Sequence, residues 1–297
     1  MLVLLLILIL LVLGAVFGVG WEASGRAIHP GSGTYEWQRS DYPELEAVDV
    51  LVESSTGATL AGRLFGGRTK ATIVLLHGYG GNQDEMLPVA ARLHEGGYTV
   101  FTYDQRGCGR STGEVTFGAR EQDDLISVVD YLASRPDVDV ERLGAFGFSM
   151  GGATALLAAA RESRIKAVVA DSAWSDVRHW LRPSVGAVFT HPRDRFNALS
   201  LKLAELRTGI ALDDLRPVEV IARVSPRPIL MIHGTADEVV VPTESERNYG
   251  AASEPKELVL VPDAGHGDTI APGGASTDER VREFFDRALD VTKPVAA

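Results

Sequence analysis

Cysteine is nearly missing from this chain. Cys108 is the only one in 297 residues, so no disulfide closes within the chain and no multi-cysteine metal site exists. Basic runs are missing too. Lys and Arg number 29 against 40 Asp and Glu, a formal net charge of −11. A protein that neutralises phosphates needs clustered cations, so nucleic acid is not an expected partner, and the acidity reads as a solvated surface. No His-Glu-x-x-His pattern or other clear group of metal-ligand residues occurs, which argues against a metalloenzyme. The composition, 45% hydrophobic and 23% charged, is globular and sufficient for one sizeable core or two modest ones.

Charge is absent altogether from residues 2–19, which are apolar apart from Gly14 and Gly18. At 1.5 Å per residue that run spans about 27 Å, close to the hydrocarbon thickness of a bilayer. A cleaved signal peptide would carry a basic segment before the run, and none is present, although Gly18-x-Gly20 has the small residues of a cleavage site. The expectation is therefore an uncleaved single-pass anchor over residues 1–21, placing the protein at the cell membrane, with export after signal cleavage as the alternative. Trp21 would sit at the interface. Residues 22–44 show no clear period and read as a linker that lets a folded domain, residues 45–297, stand off the membrane.

Within that domain, residues 47–53 alternate in polarity and residues 58–65 follow a turn, which predicts an opening β-hairpin. From Thr72 the pattern changes to near-continuous apolar runs at 72–76, 98–103, 143–148, 167–170, 229–232 and 258–261, as in strands buried on both faces of a parallel sheet. Helical periodicity separates several of them, at 86–94, 121–134, 153–160 and, last, 279–291. The alternation predicts an α/β fold with a mostly parallel central sheet and helices on both faces. It lapses over residues 174–224, which read either as a short helical cap inserted before the strand at 229–232 or as ordinary connecting helices.

The rest is organised around Leu143-Gly144-Ala145-Phe146-Gly147-Phe148-Ser149-Met150-Gly151-Gly152. An apolar strand passes through Gly-x-Ser-x-Gly into an alanine-rich helix. A chance Gly-x-Ser-x-Gly is expected about 0.2 times in a chain of this length and composition, so the strand-turn-helix context must carry the weight. A serine at such a turn stands at a strand tip, with glycines where side chains would collide with backbone. Ser149 is read as a nucleophile. It then needs a base and an orienting acid, and sites in open α/β sheets form beyond the carboxyl ends of strands. His266, flanked by Gly265 and Gly267, is the preferred base; His77 and His233 each precede a glycine at a strand end and read as structural. Asp237 is the preferred acid, with Asp171 at the end of the next strand as its rival and Asp263 as a turn former. A tetrahedral oxyanion needs two fixed donors. The backbone N–H of Met150, at the helix start, is one, and that of Tyr79, in the glycine-rich turn after the strand at 72–76, is the best second.

These residues together resemble the α/β-hydrolase superfamily. The resemblance rests on His77-Gly78-Tyr79-Gly80-Gly81, on Asp104-Gln105-Arg106-Gly107-Cys108-Gly109-Arg110-Ser111, on Gly147-Phe148-Ser149-Met150-Gly151, on Asp237 after a strand and on Gly265-His266, in that family's order. Within it the chain is similar to the serine-aminopeptidase-like and monoacylglycerol-lipase-like hydrolases, some of which carry an N-terminal membrane segment. The resemblance implies two-step acyl transfer at an ester, thioester or amide carbonyl, with Ser149 as nucleophile, His266 as base, Asp237 as acid and no cofactor or metal. It carries no catalytic role onto Arg106 or Cys108. The expected partners are a small-molecule ester or acyl substrate and, through the N-terminal segment, a membrane. A peptidase of the same fold and a catalytically silent binding scaffold are the competing readings; intact Ser149, Asp237 and His266 count against the scaffold.

Overall fold

The computed structural model describes residues 2–181, 198–271 and 277–290. The alternating segment forms β1 (Ala47–Glu53) and its return β2 (Thr59–Phe65), paired antiparallel from Ala47 opposite Phe65 to Glu53 opposite Thr59. Gly57, at a φ of +82°, makes the turn. The apolar runs become β3 (Thr72–Leu76), β4 (Thr99–Tyr103), β5 (Leu143–Phe148), β6 (Ile165–Asp171), β7 (Ile229–Gly234) and β8 (Lys256–Val261). They join the hairpin in one sheet of order β1-β2-β4-β3-β5-β6-β7-β8, antiparallel at β1, β2 and β4 and parallel from β4 onward.

Every residue of β3, β4 and β5 is buried, which is why their sequences run apolar rather than alternating. Their side chains nevertheless sort by the two-residue period. Val74 and Leu76 of β3 join a core with Leu125 and Val128 of α3 (Glu121–Ala133) and Leu156 of α4 (Met150–Ala159). Ile73 and Leu75 join a second core with Leu87 and Leu93 of α2 (Leu87–Glu95) and Phe284 and Phe285 of α9 (Thr277–Leu289). Helices thus cover both faces of a doubly wound sheet.

The first helix, α1 (Leu2–Ile28), does not stop where the apolar run stops. Its apolar side chains from Leu2 to Leu13 are exposed, whereas Gly20, Ser24, Ala27 and Ile28 are buried. That spacing is one helix face. It packs on α6 (Ala198–Thr208), where a Cβ on Gly20 would stand 2.7 Å from Leu199 Cδ2. Arg207 stacks 4.5 Å over the Trp21 ring and donates to the Trp21 carbonyl at 3.1 Å. The chain then crosses the loop after β3: Gly33 N–H donates to the Gly80 carbonyl at 2.8 Å, and Trp37 Nε1 donates to the Asp84 carbonyl at 2.9 Å. Of residues 22–44, read from the sequence as linker, 22–28 therefore continue α1 and 29–37 form a strap. The docking face of the helix is built mainly of Gly, Ser and Ala, whose close approach leaves no apolar period to read.

The described part of residues 174–224 is helical: α5 (Val177–Trp180), α6, and α7 (Pro217–Val220). Residues 182–197 of the expected cap lie outside the described residues. A further helix, α8 (Thr243–Ala251), carries no apolar stripe because it buries polar groups instead. Glu244 accepts from Ser175 N–H at 2.9 Å, and Asn248 Nδ2 donates to the Trp174 carbonyl at 3.2 Å.

The Asp104–Ser111 segment is a structural hub. Asp104 accepts from the backbone N–H groups of Gln83 and Arg110, each at 2.8 Å. Arg106, 2% exposed, forks onto Asp124 of α3 at 2.6 and 2.7 Å, and the hydroxyl of Ser54 completes the Asp124 shell. Removing one member of such a pair strands a buried charge. Arg106→Ala should lower the unfolding free energy by about 3–5 kcal/mol, measured by urea denaturation, and a loss under about 1 kcal/mol would show that water replaces the guanidinium.

Candidate active site

Ser149 sits between β5 and α4 with φ of +53° and ψ of −115°, a backbone region that non-glycine residues enter only when the surroundings hold them there. Its N–H donates to the Asp171 carbonyl at 2.8 Å, and its carbonyl accepts from Ala153 N–H at 3.1 Å. The turn needs both glycines of the pentapeptide. A Cβ on Gly147 would lie 2.2 Å from the Gly151 carbonyl oxygen, and one on Gly151 would lie 2.3 Å from the Leu76 carbonyl oxygen.

The Ser149 hydroxyl lies 3.1 Å from His266 Nε2, and His266 Nδ1 lies 2.7 Å from Asp237 Oδ2. Ser149 follows β5, Asp237 follows β7 and His266 follows β8, so three strand ends bring the three side chains together. Asp237 Oδ1 accepts from the N–H groups of Val239 at 2.8 Å and Val240 at 2.9 Å. His233 Nε2, which donates to the Val240 carbonyl, stands 3.3 Å from Asp237 Oδ2. Burial alone would raise the Asp237 pKa, but the hydrogen bonds from His233 and His266, the nearby imidazole charge and the Val240 N–H outweigh it and hold the carboxyl well below its usual range. An ionised Asp237 fixes His266 with its proton on Nδ1, which leaves the Nε2 lone pair facing the serine hydroxyl. The Phe148 ring, 4.8 Å from the imidazole centroid, packs against that ring.

His77 and His233 are tied into the fold by their own hydrogen bonds. His77 Nδ1 donates to the Gly78 carbonyl at 2.7 Å while its Nε2 accepts from Gln105 N–H at 2.8 Å; burial lowers its pKa and keeps it neutral. His233 accepts the Ser245 hydroxyl at 2.7 Å on Nδ1. The contact of His233 with Asp237 was missed in the sequence, although the i, i+4 spacing across a tight turn was there to see.

Met150 is the first residue of α4, where a helix offers no internal acceptor for its N–H. Tyr79 lies in the loop after β3, whose Gly78 N–H is held by Glu85 Oε2 at 2.6 Å. The Tyr79 ring stacks on Phe117 at 5.7 Å and meets Trp180 edge-on at 5.3 Å, while its hydroxyl donates to the Ala27 carbonyl of α1 at 2.9 Å. The sequence offers Tyr79 only through its backbone N–H; the contact of its hydroxyl with α1 has no signal in the spacing. Ala27, Phe117, Met150, Trp174, Leu201 and Val240 belong to one apolar cluster that Tyr79 packs against. Cys108 is buried in the same cluster, and burial pushes its thiol up to about 12, so it is packed and unreactive. A cavity of about 520 Å³ between α2 and α9 is lined by Arg92, Phe146 and Thr269, among others, and touches none of Ser149, Asp237 and His266.

The sheet order, the helices on both faces and the serine at the strand-to-helix turn define an α/β hydrolase. A known structure of this class, the esterase Pf2001 of Pyrococcus furiosus, superposes with a TM-score of 0.72 at 26% identity, covering 89% of this chain and 98% of that one. Residues 88–292 match the model of the prolyl oligopeptidase family, and the chain belongs to that family. Among its relatives are YfhR of Escherichia coli K12, 35% identical over 74% of this chain and 72% of that protein, and Rv2307c of Mycobacterium tuberculosis H37Rv, 30% identical over 89% and 88%. The protein is a serine hydrolase of the α/β fold.

Asp171, the rival acid, ends β6 with its side chain buried. Its Oδ1 accepts the Ser172 hydroxyl at 2.9 Å; its Oδ2 has no partner of hydrogen-bonding geometry, although the Thr269 hydroxyl is close by. Burial raises its pKa to about 6. Because the folded-state pKa lies above the unfolded value near 4, the native state binds the extra proton, and Asp171 costs stability increasingly as pH rises from about 4 to 6. A shift of about two units corresponds to about 3 kcal/mol. The stability of Asp171→Asn relative to wild type should therefore climb by about 2–3 kcal/mol between pH 4 and 7 in urea titrations; a flat difference would show that Asp171 is ionised throughout.

Proposed function

We propose that the chain is a membrane-anchored serine hydrolase that cleaves carboxylic esters, acyl thioesters included, through an acyl-enzyme. The observation that carries this reading is the unbroken hydrogen-bonded line from Ser149 Oγ through His266 to Asp237, at 3.1 and 2.7 Å. His266 Nε2 takes the serine proton as Oγ attacks the carbonyl carbon. Asp237, held ionised, stabilises the imidazolium that forms. The N–H groups of Met150 and Tyr79 receive the oxyanion. The imidazolium then returns the proton to the leaving alcohol or thiol, and water, deprotonated by His266, releases the acid. Every bond made and broken is accounted for by these groups, so the reading calls for no cofactor.

Likeness to the Pyrococcus furiosus esterase favours esters, and membership of a family described as prolyl oligopeptidases keeps peptides as the second reading. The anchor reading rests on a 27-residue helix with mean hydropathy 3.3 over its most apolar window, none of which is buried. Burial of Gly20, Ser24, Ala27 and Ile28 supports its retention.

The test uses the full chain in detergent, a fluorophosphonate label, a series of p-nitrophenyl esters of increasing acyl length and a peptide p-nitroanilide. Labelling and ester turnover are expected, and Ser149→Ala should remove the label and lower kcat by about 10³-fold or more. Turnover of the anilide in preference to every ester would replace the ester reading with the peptidase one. Absence of labelling in the folded protein would sink both.

A further inference from the structure

The nucleophile is held by tight backbone packing, but the loop that carries the Tyr79 N–H has little stiffness of its own. Gly78, Gly80 and Gly81 surround Tyr79, and glycine imposes little backbone preference. Gly80 stands at a φ of +68°. The direction of the Tyr79 N–H is set by the peptide it shares with the Gly78 carbonyl, because the two point opposite ways across a planar trans bond. That carbonyl accepts from His77 Nδ1 at 2.7 Å and from Gly81 N–H at 3.2 Å. The peptide before it is held by Glu85, whose Oε2 accepts the Gly78 N–H at 2.6 Å.

Glu85 stands on a single helical turn, Gln83–Met86, which is tied to the sheet by Gln83 N–H on Asp104 and by the ion pair of Asp84 with Arg63 of β2. A second group meets it from the strap. A Cβ on Gly81 would lie 2.8 Å from Tyr35 Oη, 2.9 Å from Glu85 Oε2 and 3.0 Å from His77 Nδ1, so three polar groups converge on one glycine. Burial and the facing Glu85 carboxylate raise the Tyr35 pKa, which keeps the phenol protonated as a donor to that carboxylate. The strap fixes Tyr35 in turn. Its ring stacks on Trp37 at 5.5 Å, and Asn82 Nδ2 donates to the Gly33 carbonyl at 2.8 Å and to the Ser32 hydroxyl at 3.0 Å.

We propose that Glu85 and Tyr35 are positioning residues for the oxyanion donor: Glu85 fixes the Gly78 amide, Tyr35 fixes Glu85, and together they aim the Tyr79 N–H before the carbonyl is attacked. The proposal rests on the reading of the Tyr79 N–H as that donor. The strap between α1 and β1 is then a brace for the oxyanion loop, not only a connection. A donor aimed in advance stabilises the transition state and not the bound ester, so the pair acts on kcat and leaves KM nearly alone.

The full chain in detergent is assayed on p-nitrophenyl butyrate and titrated with an octyl trifluoromethyl ketone, whose adduct with the serine places a tetrahedral oxyanion in the hole. Glu85→Ala should lower kcat about 10- to 100-fold with KM within about 3-fold, and raise the ketone Ki by a similar factor. Glu85→Gln, which keeps an oxygen acceptor at the same reach, should recover most of that loss. Tyr35→Phe, which deletes one oxygen, should lower kcat about 3- to 10-fold, and it carries the test if Glu85→Ala does not fold. Equal losses in Glu85→Ala and Glu85→Gln, or a fall in kcat with an unchanged ketone Ki, overturn the proposal. Tyr79→Pro, which removes the N–H, is compared with Tyr79→Ala, which keeps it; the proline variant should be slower by about 10-fold or more. Equal rates in those two refute the donor reading and the proposal with it. A loss confined to Tyr79→Pro, with Glu85→Ala and Tyr35→Phe at the wild-type rate, refutes the positioning proposal alone.

Discussion

The structure depends on how closely the backbone of β5 and the first turn of α4 can approach. With a Cβ at Gly147 only 2.2 Å from the Gly151 oxygen, and one at Gly151 only 2.3 Å from the Leu76 oxygen, the strand, the helix and the neighbouring strand meet backbone to backbone. Packing of that kind determines the rest. It holds Ser149 at a φ of +53°, with its hydroxyl on His266 and the N-terminus of α4 beside it. The strain at one residue, of order 1–3 kcal/mol, is small beside the cores on either face of the sheet. It is also pinned by the two backbone hydrogen bonds of Ser149.

Two buried aspartates near that turn show how environment assigns roles to identical groups. Asp237 has backbone N–H groups on one oxygen and two imidazoles near the other, so its charge is the favoured state in spite of burial. Asp171 has one hydroxyl on Oδ1 and no hydrogen bond to Oδ2, so burial prevails and the proton is retained to higher pH. A carboxylate that orients an imidazole and balances an imidazolium is ionised throughout the working range, and that is the state the first environment favours. The choice between the two was open in the sequence because both follow strands; the number of donors each would meet depends on the 237–240 turn and on His233, which spacing alone does not fix.

What was legible follows the same division between backbone pattern and tertiary contact. The inner strands β3 to β7 were readable because burial on two faces demands near-continuous apolar runs, the β1–β2 hairpin from its alternation and turn, and the helices α2, α3 and α9 because burial on one side demands a stripe. Helix α8 was not readable: Glu244, Ser245 and Asn248 occupy its buried face, and their partners Ser175, His233 and Trp174 lie on other elements. Residues 22–37 were misjudged for a related reason. Small residues dominate the docked face of α1, and the strap is held by a backbone hydrogen bond and by the Trp37 indole N–H, none of which makes an apolar period.

That last feature changes how the N-terminal segment relates to the site. A tether would make the apolar helix a device for raising local concentration only, and the domain behind it would be indifferent to orientation. A helix that continues into the fold, is clamped by Arg207 and accepts a hydrogen bond from Tyr79 through Ala27 is part of the wall beside the nucleophile. Tyr79 has its ring on Phe117 and Trp180, its hydroxyl on α1 and its backbone in the loop after β3. Movement of α1 relative to the sheet therefore cannot leave that loop unaffected. The docked helix and the loop after β3 are thus joined through a single side chain, and that link requires the helix to be docked, not merely attached.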